Sequence, residues 1–295
     1  MQVDLIDFYA EDGVLLNGFI SKANSKKILI ATHGMSSNCF KTRERIIAEK
    51  CLENNIAFFG YNNRGSELVK YIKKKQNEKE IKLLGGTSYE DPEEAYFDIK
   101  GAILKALELG YTDIYLQGHS LGSTKCVYTY NRLKEENSYI LNNIKGIILL
   151  SLVDIPKILK IYLNANFNNM LKLAEEKESN KQIYDIMPKE SFIHPISVKT
   201  FLKYAKYNEK IDFARYSESN YNFDELNNIN IPIFMRWGNL NEMIEQKADD
   251  LVNMLSNKIK NSKKDINYID GADHGYTGKE EVLATEIVKF LENIK

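Results

Sequence analysis

A serine between two glycines, in Gly118-His119-Ser120-Leu121-Gly122, is the stretch of this chain best equipped for covalent chemistry. It closes the apolar run Ile114-Tyr115-Leu116 and opens a helical-looking run through Tyr130, so it reads as strand, sharp turn, helix. Side chains two residues either side of the serine would collide as the backbone reverses, and Gly118 and Gly122 remove them. The serine then occupies a strained turn with its hydroxyl projecting from a sheet edge. The amide of Leu121, at the helix start, is free to donate to a developing oxyanion. A serine hydroxyl is a poor nucleophile near neutral pH. It needs an imidazole within hydrogen-bond reach and a carboxylate to orient that imidazole. The chain has four histidines, His33, His119, His194 and His274.

The elements that would position these groups alternate regularly. Val3 to Tyr9 and Val14 to Ile20, separated by Glu11-Asp12-Gly13, read as a β-hairpin. Lys27 to Ala31 is a continuous apolar run, the pattern of a strand covered on both faces, and it leads into Thr32-His33-Gly34-Met35. A helix over Lys41 to Asn54 and a strand over Ile56 to Tyr61 follow. Lys70 to Lys82, dominated by lysine and glutamate, reads as a solvated excursion. Asp91-Pro92-Glu93-Glu94 reads as a helix start, with Asp91 as N-cap and Glu94 closing a capping box. Gly146 to Leu150 is another fully apolar strand and ends in Ser151-Leu152-Val153-Asp154.

From Ile155 to about Asn222 the alternation stops, and the segment carries helical patches without a convincing strand. It reads as a helical cap inserted into the core, and His194-Pro195 within it reads as a structural turn. The sheet resumes at Ile231 to Met235, then Met243 to Leu255 reads as a helix. Ile266 to Ile269 is the last strand, Gly271-Ala272-Asp273-His274 follows it, and a final helix spans about Lys279 to Leu291. The expectation is a mainly parallel, doubly covered sheet, with residues 1-154 and 223-295 as core and 155-222 as cap.

Composition narrows the function classes. Among 295 residues, 43% hydrophobic and 27% charged are ordinary values for a packed chain, which excludes disordered and fibrous classes. Forty basic residues against forty-one acidic ones give a formal net charge of -1, so no global basic field points to nucleic acid. Cys39, Cys51 and Cys126 have neither disulfide-framework nor zinc spacing, which suggests a reducing compartment. The first residues carry Asp4 and Asp7 rather than a basic start and apolar core, and no apolar run reaches the eighteen or so residues of a membrane span. A cytoplasmic protein is expected; the oligomeric state is left open.

Thr32-His33-Gly34-Met35, Gly118 to Gly122, Arg236-Trp237-Gly238 and Gly271 to His274 together resemble the α/β-hydrolase superfamily over essentially the whole chain. Asn63-Arg64-Gly65 and Gly146 to Asp154 also resemble a branch that includes fungal siderophore esterases. The resemblance implies the α/β-hydrolase fold and a serine mechanism: Ser120 as nucleophile, His274 after the last strand as base, and the amides of Met35 and Leu121 as oxyanion donors. It departs at the acid. The usual Gly-x-x-Asp places an aspartate where this chain has Asn241, with Glu242 next. Glu242 is one position late but longer, and Asp154 at the end of the preceding strand is the alternative. The implied activity is hydrolysis of a small-molecule acyl ester without a metal or organic cofactor. Thioesterase, amidase and acyltransferase chemistry share the machinery, and so does a non-catalytic ligand-binding protein on the same scaffold.

Overall fold

The computed structural model describes residues 1–77 and 79–294. Ten strands are found among them: β1 (Asp4–Tyr9), β2 (Leu15–Ser21), β3 (Lys27–Thr32), β4 (Ala57–Asn62), β5 (Lys70–Gln76), β6 (Lys79–Gly85), β7 (Asp113–His119), β8 (Ile144–Leu150), β9 (Ile233–Gly238) and β10 (Lys264–Ile269). The helices are α1 (Thr42–Glu53), α2 (Ala95–Glu108), α3 (Leu121–Glu135), α4 (Ile155–Leu163), α5 (Phe167–Ser179), α6 (Val198–Ala205), α7 (Asp224–Asn227), α8 (Ala248–Lys258) and α9 (Glu280–Asn293). Eight strands form one sheet in the order β1-β2-β4-β3-β7-β8-β9-β10. The β1–β2 hairpin joins it antiparallel through β4, and every pairing from β4 to β10 is parallel.

The apolar runs are continuous because both faces of the sheet are buried. In β8, Ile147 and Leu149 face one cluster with Ile99, Ile103 and Val127 of α2 and α3. Ile148 and Leu150 face the other, with Ile47 of α1 and Ile287 of α9. Each fully buried branched side chain contributes roughly 1.5–3 kcal/mol, so alternate residues of one strand anchor opposite helix layers. Since these central strands run parallel, the segments after β3, β7, β8, β9 and β10 emerge at one edge of the sheet. All the groups singled out for chemistry lie on those segments.

Three local expectations differ from what is found. The lysine-rich excursion is the β5–β6 hairpin, paired from Lys70↔Gly85 to Gln76↔Lys79. It docks on the first hairpin through Lys75 N–H donating to Gly13 O, 2.8 Å, so backbone pairing rather than an apolar stripe holds it. At Asp91 the side chain does cap, accepting from Glu93 N–H, but a 3₁₀ turn over Pro92–Glu94 precedes α2. Glu94 is drawn to Arg64, 3.2 Å away, instead of closing a box. The helix expected from Met243 begins only at Ala248.

Between β8 and β9 lie α4, α5, α6 and α7, and packing divides this segment unequally. Leu159, Ala174, Phe201 and Tyr204 form a cluster of their own with Leu121. Phe213, Tyr216 and Phe223 belong to the main core on the α2–α3 face. No helix among the described residues is long and apolar enough to cross a membrane.

Candidate functional site

Ser120 sits between β7 and α3 with φ 55° and ψ −126°, in the left-handed half of backbone space where a side chain is strained. The turn holds because its surroundings permit no other path. A Cβ on Gly118 would collide with the backbone of Gly122 and Ser123, and one on Gly122 with the Thr32 carbonyl of β3. Ser120 N–H donates to Leu150 O of the neighbouring strand, 2.8 Å, which pins the elbow to β8.

The segment after β3 approaches from the other side. A Cβ on Gly34 would lie 2.8 Å from His119 O and 2.9 Å from Ser120 Cβ, so any side chain here forces the loop or the elbow to shift. Among the described residues the amides of Met35 and Leu121 find no acceptor, which suits them to a ligand oxygen. His33 is a buried strut. Its Nδ1 donates to Gly34 O at 2.8 Å, and its Nε2 accepts from Asn63 N–H at 3.2 Å. Burial, against the partial support of the Gly34 carbonyl, holds this imidazole neutral, with its pKa down to about 3.

Glu242 and His274 come together because β9 and β10 are parallel neighbours in the register Gly238↔Ile269. Leu240 N–H donates to Ala272 O at 2.9 Å, and a Cβ on Gly238 would strike that same carbonyl. His274 Nδ1 is hydrogen-bonded to Glu242 Oε1. The carboxylate also accepts from Gly238 N–H at 2.9 Å, Met243 N–H at 2.9 Å and Ser151 Oγ at 2.7 Å. Its side chain is 2% exposed. Burial pushes its pKa up, but the hydrogen bond and charge of His274, with the Gly238 and Ser151 donors, outweigh this and hold it below the usual range.

Asp154 is engaged elsewhere. It caps α4 by accepting from Lys157 N–H at 3.1 Å, and both its oxygens accept from Tyr207 OH at 3.1 Å. Burial raises its pKa despite these donors. Asn241 is exposed, has φ 49° and makes no hydrogen bond to His274 among the described residues. His194 bonds to Pro195 O at 3.0 Å, on the α4–α6 segment.

Ser120 and His274 line one cavity of about 610 Å³, together with His119, Met35 and side chains of the α4–α6 segment. No direct hydrogen bond joins the two among the described residues. His119 Nε2 donates to His274 O at 2.7 Å, and the two rings lie 4.9 Å apart, so the elbow and the histidine loop are tied. Burial drives the His119 pKa well down, and the Arg43 charge adds to this. A larger cavity of about 950 Å³ lies among Ile144, Lys264 and Glu286 at the opposite strand ends and contains none of these groups.

Two supporting residues escaped the sequence reading. Ser151 donates to Glu242, and Tyr276, 3.0 Å from Ser151, donates to Arg236 O at 2.7 Å, bracing the carboxylate from below. For Ser151 a signal existed: a small hydroxyl closing an otherwise apolar strand, Gly146 to Leu150. For Tyr276 there was none beyond its proximity to His274.

A mostly parallel sheet that turns through a strained serine into a helix, with an imidazole at the same edge on the segment after the last strand, is the α/β-hydrolase fold, and this chain has it. The chain belongs to the family described as Lecithin:cholesterol acyltransferase, whose profile matches residues 87–289. No curated protein sequence matches. Among solved structures, Est1E from Butyrivibrio proteoclasticus with ferulic acid bound is 16% identical, with TM-score 0.65 over 97% of this chain and 98% of that one. Alpha/beta hydrolase GrgF from Penicillium sp. sh18 is 16% identical, with TM-score 0.68 over 100% and 99%. Alpha/beta hydrolase domain-containing protein 10 from mouse is 13% identical, with TM-score 0.62 over all of both chains. At such identities the likeness is one of fold.

Proposed function

We propose that the chain is a serine hydrolase that cleaves a small-molecule carboxylic ester through an acyl-enzyme. The observation that carries this is the single cavity onto which the strained Ser120 and the Glu242-bonded His274 both open. With its Nδ1 proton held by Glu242, the imidazole presents an unprotonated Nε2, the tautomer a base requires. Ser120 Oγ attacks the ester carbonyl as its proton passes to Nε2, and the amides of Met35 and Leu121 hold the oxyanion. The C–O bond then breaks, His274 protonates the departing alkoxide, and water repeats the sequence to free the acid and the serine.

Within the expected cap, 155-222, the part from α4 to α6 covers this cavity, a role supported by Ile155, Leu159 and Tyr162 in its wall, while Phe213 and Tyr216 pack in the main core. The site needs no metal or organic cofactor for these steps. The free, buried Cys39, Cys51 and Cys126 support a reducing, cytoplasmic setting. The family membership supports a second reading, in which an acceptor alcohol replaces water in the last step.

Fluorophosphonate labelling tests the proposal. The wild-type chain should be modified at Ser120 and the Ser120→Ala variant should not; a folded wild-type chain that stays unlabelled refutes it. Added alcohols that divert acyl groups from acid to ester would select the transfer reading.

A further inference from the structure

The cavity has two unlike walls. One is apolar and built from Val153, Ile155, Ile158, Leu159, Tyr162 and Phe192. The other carries Ser36, Ser37 and Lys41 from the segment after β3 and Thr42 and Arg43 from the start of α1. Arg43 stands out because its side chain is 6% exposed yet poorly satisfied. One terminal nitrogen, Nη2, pairs with Glu44; Nε is buried without a partner, and Nη1 has none among the described residues. A guanidinium offers five donors in a fixed fork, and leaving buried donors unmade costs about 1–3 kcal/mol. That cost is sustained at the edge of the cavity that Ser120 also lines.

The backbone beside Arg43 adds to the same field. Lys41 precedes α1 without a side-chain cap, and Arg45 N–H, reaching Lys41 O at 3.1 Å, is the first amide of the helix with an acceptor among the described residues. The amides of Thr42, Arg43 and Glu44 therefore stand free at the positive end of a twelve-residue helix. Glu44 is 2% exposed, meets Arg43 through one carboxylate oxygen while the other, Oε2, is buried without a partner, and does not line the cavity. Among the residues lining the cavity, Glu280 in the first turn of α9 is the one carboxylate alongside Lys41 and Arg43.

We propose that this wall is an anion subsite, so that the substrate is an amphiphilic ester bearing a carboxylate or phosphate group, its apolar part against the α4 wall and its anion on Arg43 and the α1 amides. Both anions suit a guanidinium fork and a helix N-terminus. The inference rests on the ester reading for the word substrate, but the subsite itself can be measured without turnover.

Isothermal titration with 4-phenylbutyrate, 4-phenylbutyl phosphate and the neutral 4-phenylbutanol provides that measurement. At least one anion should bind the wild-type chain ten-fold or more tighter than the alcohol, and the one that gains more identifies the natural group. Arg43→Gln should erase the preference, while Arg43→Lys keeps part of it. Equal binding of alcohol and both anions to the wild-type chain overturns the proposal, as does a folded Arg43→Gln that keeps the preference. The wild-type comparison stands even if the variants misfold. In the kinetic arm, the kcat/KM ratio of 3-carboxyphenyl butyrate to phenyl butyrate should fall at least ten-fold in Arg43→Gln. Absent fluorophosphonate labelling with anion binding intact would fault the hydrolase reading alone; labelling with no anion preference would fault the subsite alone.

Discussion

Replacing Glu242 by glutamine is the most searching test of the site, because the carboxylate accepts four hydrogen bonds and donates none. An amide can meet this set in two orientations, both unfavourable. With its oxygen toward His274 and Met243, its NH₂ meets Gly238 N–H, a donor facing a donor, at about 1–3 kcal/mol of stability. Reversed, the NH₂ faces His274 Nδ1, which must then accept, and the imidazole proton moves to Nε2, where the base is needed. In either case the imidazolium formed as Ser120 attacks loses its counter-charge. Two unit charges about 4 Å apart at an effective dielectric near 20 attract by about 4 kcal/mol, or about three decades in rate. The corresponding amide substitution in trypsin costs about 10⁴. The expected result is therefore kcat lower by 10³–10⁴ with KM within about threefold, read with 4-nitrophenyl butyrate near neutral pH on protein that unfolds cooperatively. Asp154→Asn should stay within about threefold of wild type, since the amide oxygen can still cap α4 and the site of that residue disfavours its charge. A folded Glu242→Gln keeping more than a tenth of wild-type kcat, or an Asp154→Asn falling as far, would refute the assignment.

Gly34→Ala should leave a folded chain with kcat reduced about 10²-fold, because the new methyl would press on His119 O and Ser120 Cβ and move the Met35 amide by a fraction of an ångström to an ångström; an unchanged kcat would show that the Met35 amide is not a donor. Stability should depend on acid through the two buried imidazoles. His33, at about 3 when folded, and His119, well below its usual value, are neutral in the native state but take up protons when unfolded below about pH 6.5. Their contribution is therefore complete above that pH and lost as pH falls, by about 1.4 kcal/mol per pH unit for each histidine. Urea midpoints that fall from pH 6.5 to 5 would bear this out. His33→Asn, whose amide sits where Nδ1 does, should remove about half of the slope; a flat profile in the wild-type chain would contradict the buried-neutral assignment.

What could be read in the sequence depended on whether the constraint was local. Gly118 and Gly122 announce the elbow because the collision they avoid lies within a few residues of Ser120. The apolar runs of β3 and β8 announce themselves because parallel strands covered on both faces need no polar alternation. The β5–β6 hairpin could not be seen in the same way. Within β5 only Ile72 is buried, so its strand character lives in pairing and in the approach to Gly13, neither of which leaves a periodic pattern. Phe213 and Tyr216 looked like part of the inserted segment because chain order was the sole guide, whereas they pack in the main core together with Phe223. Arg64 is a similar case. Its fork joins Asp98 and Asp12, 34 and 52 residues away in sequence, and draws Glu94 from the capping role that its spacing suggested.

The acid shows most clearly how one backbone angle can displace a motif. A carboxylate at position 241 would satisfy the usual spacing after Gly238, yet Asn241 occupies the left-handed region, which asparagine tolerates better than most residues, and its side chain is exposed. The next residue returns beneath the strand end, where Gly238 N–H and Ser151 Oγ are waiting for an acceptor. The turn, more than the residue type, fixes which position reaches His274. Restoring the common pattern on this backbone should consequently fail: Asn241→Asp combined with Glu242→Gln is expected to remain within about threefold of Glu242→Gln alone in kcat, because the new carboxylate stays in solvent and its charge is screened there. Recovery of ten-fold or more in the double variant would mean that the loop re-forms around whichever carboxylate is offered, and that the left-handed turn at Asn241 follows from the Glu242–His274 bond instead of producing it.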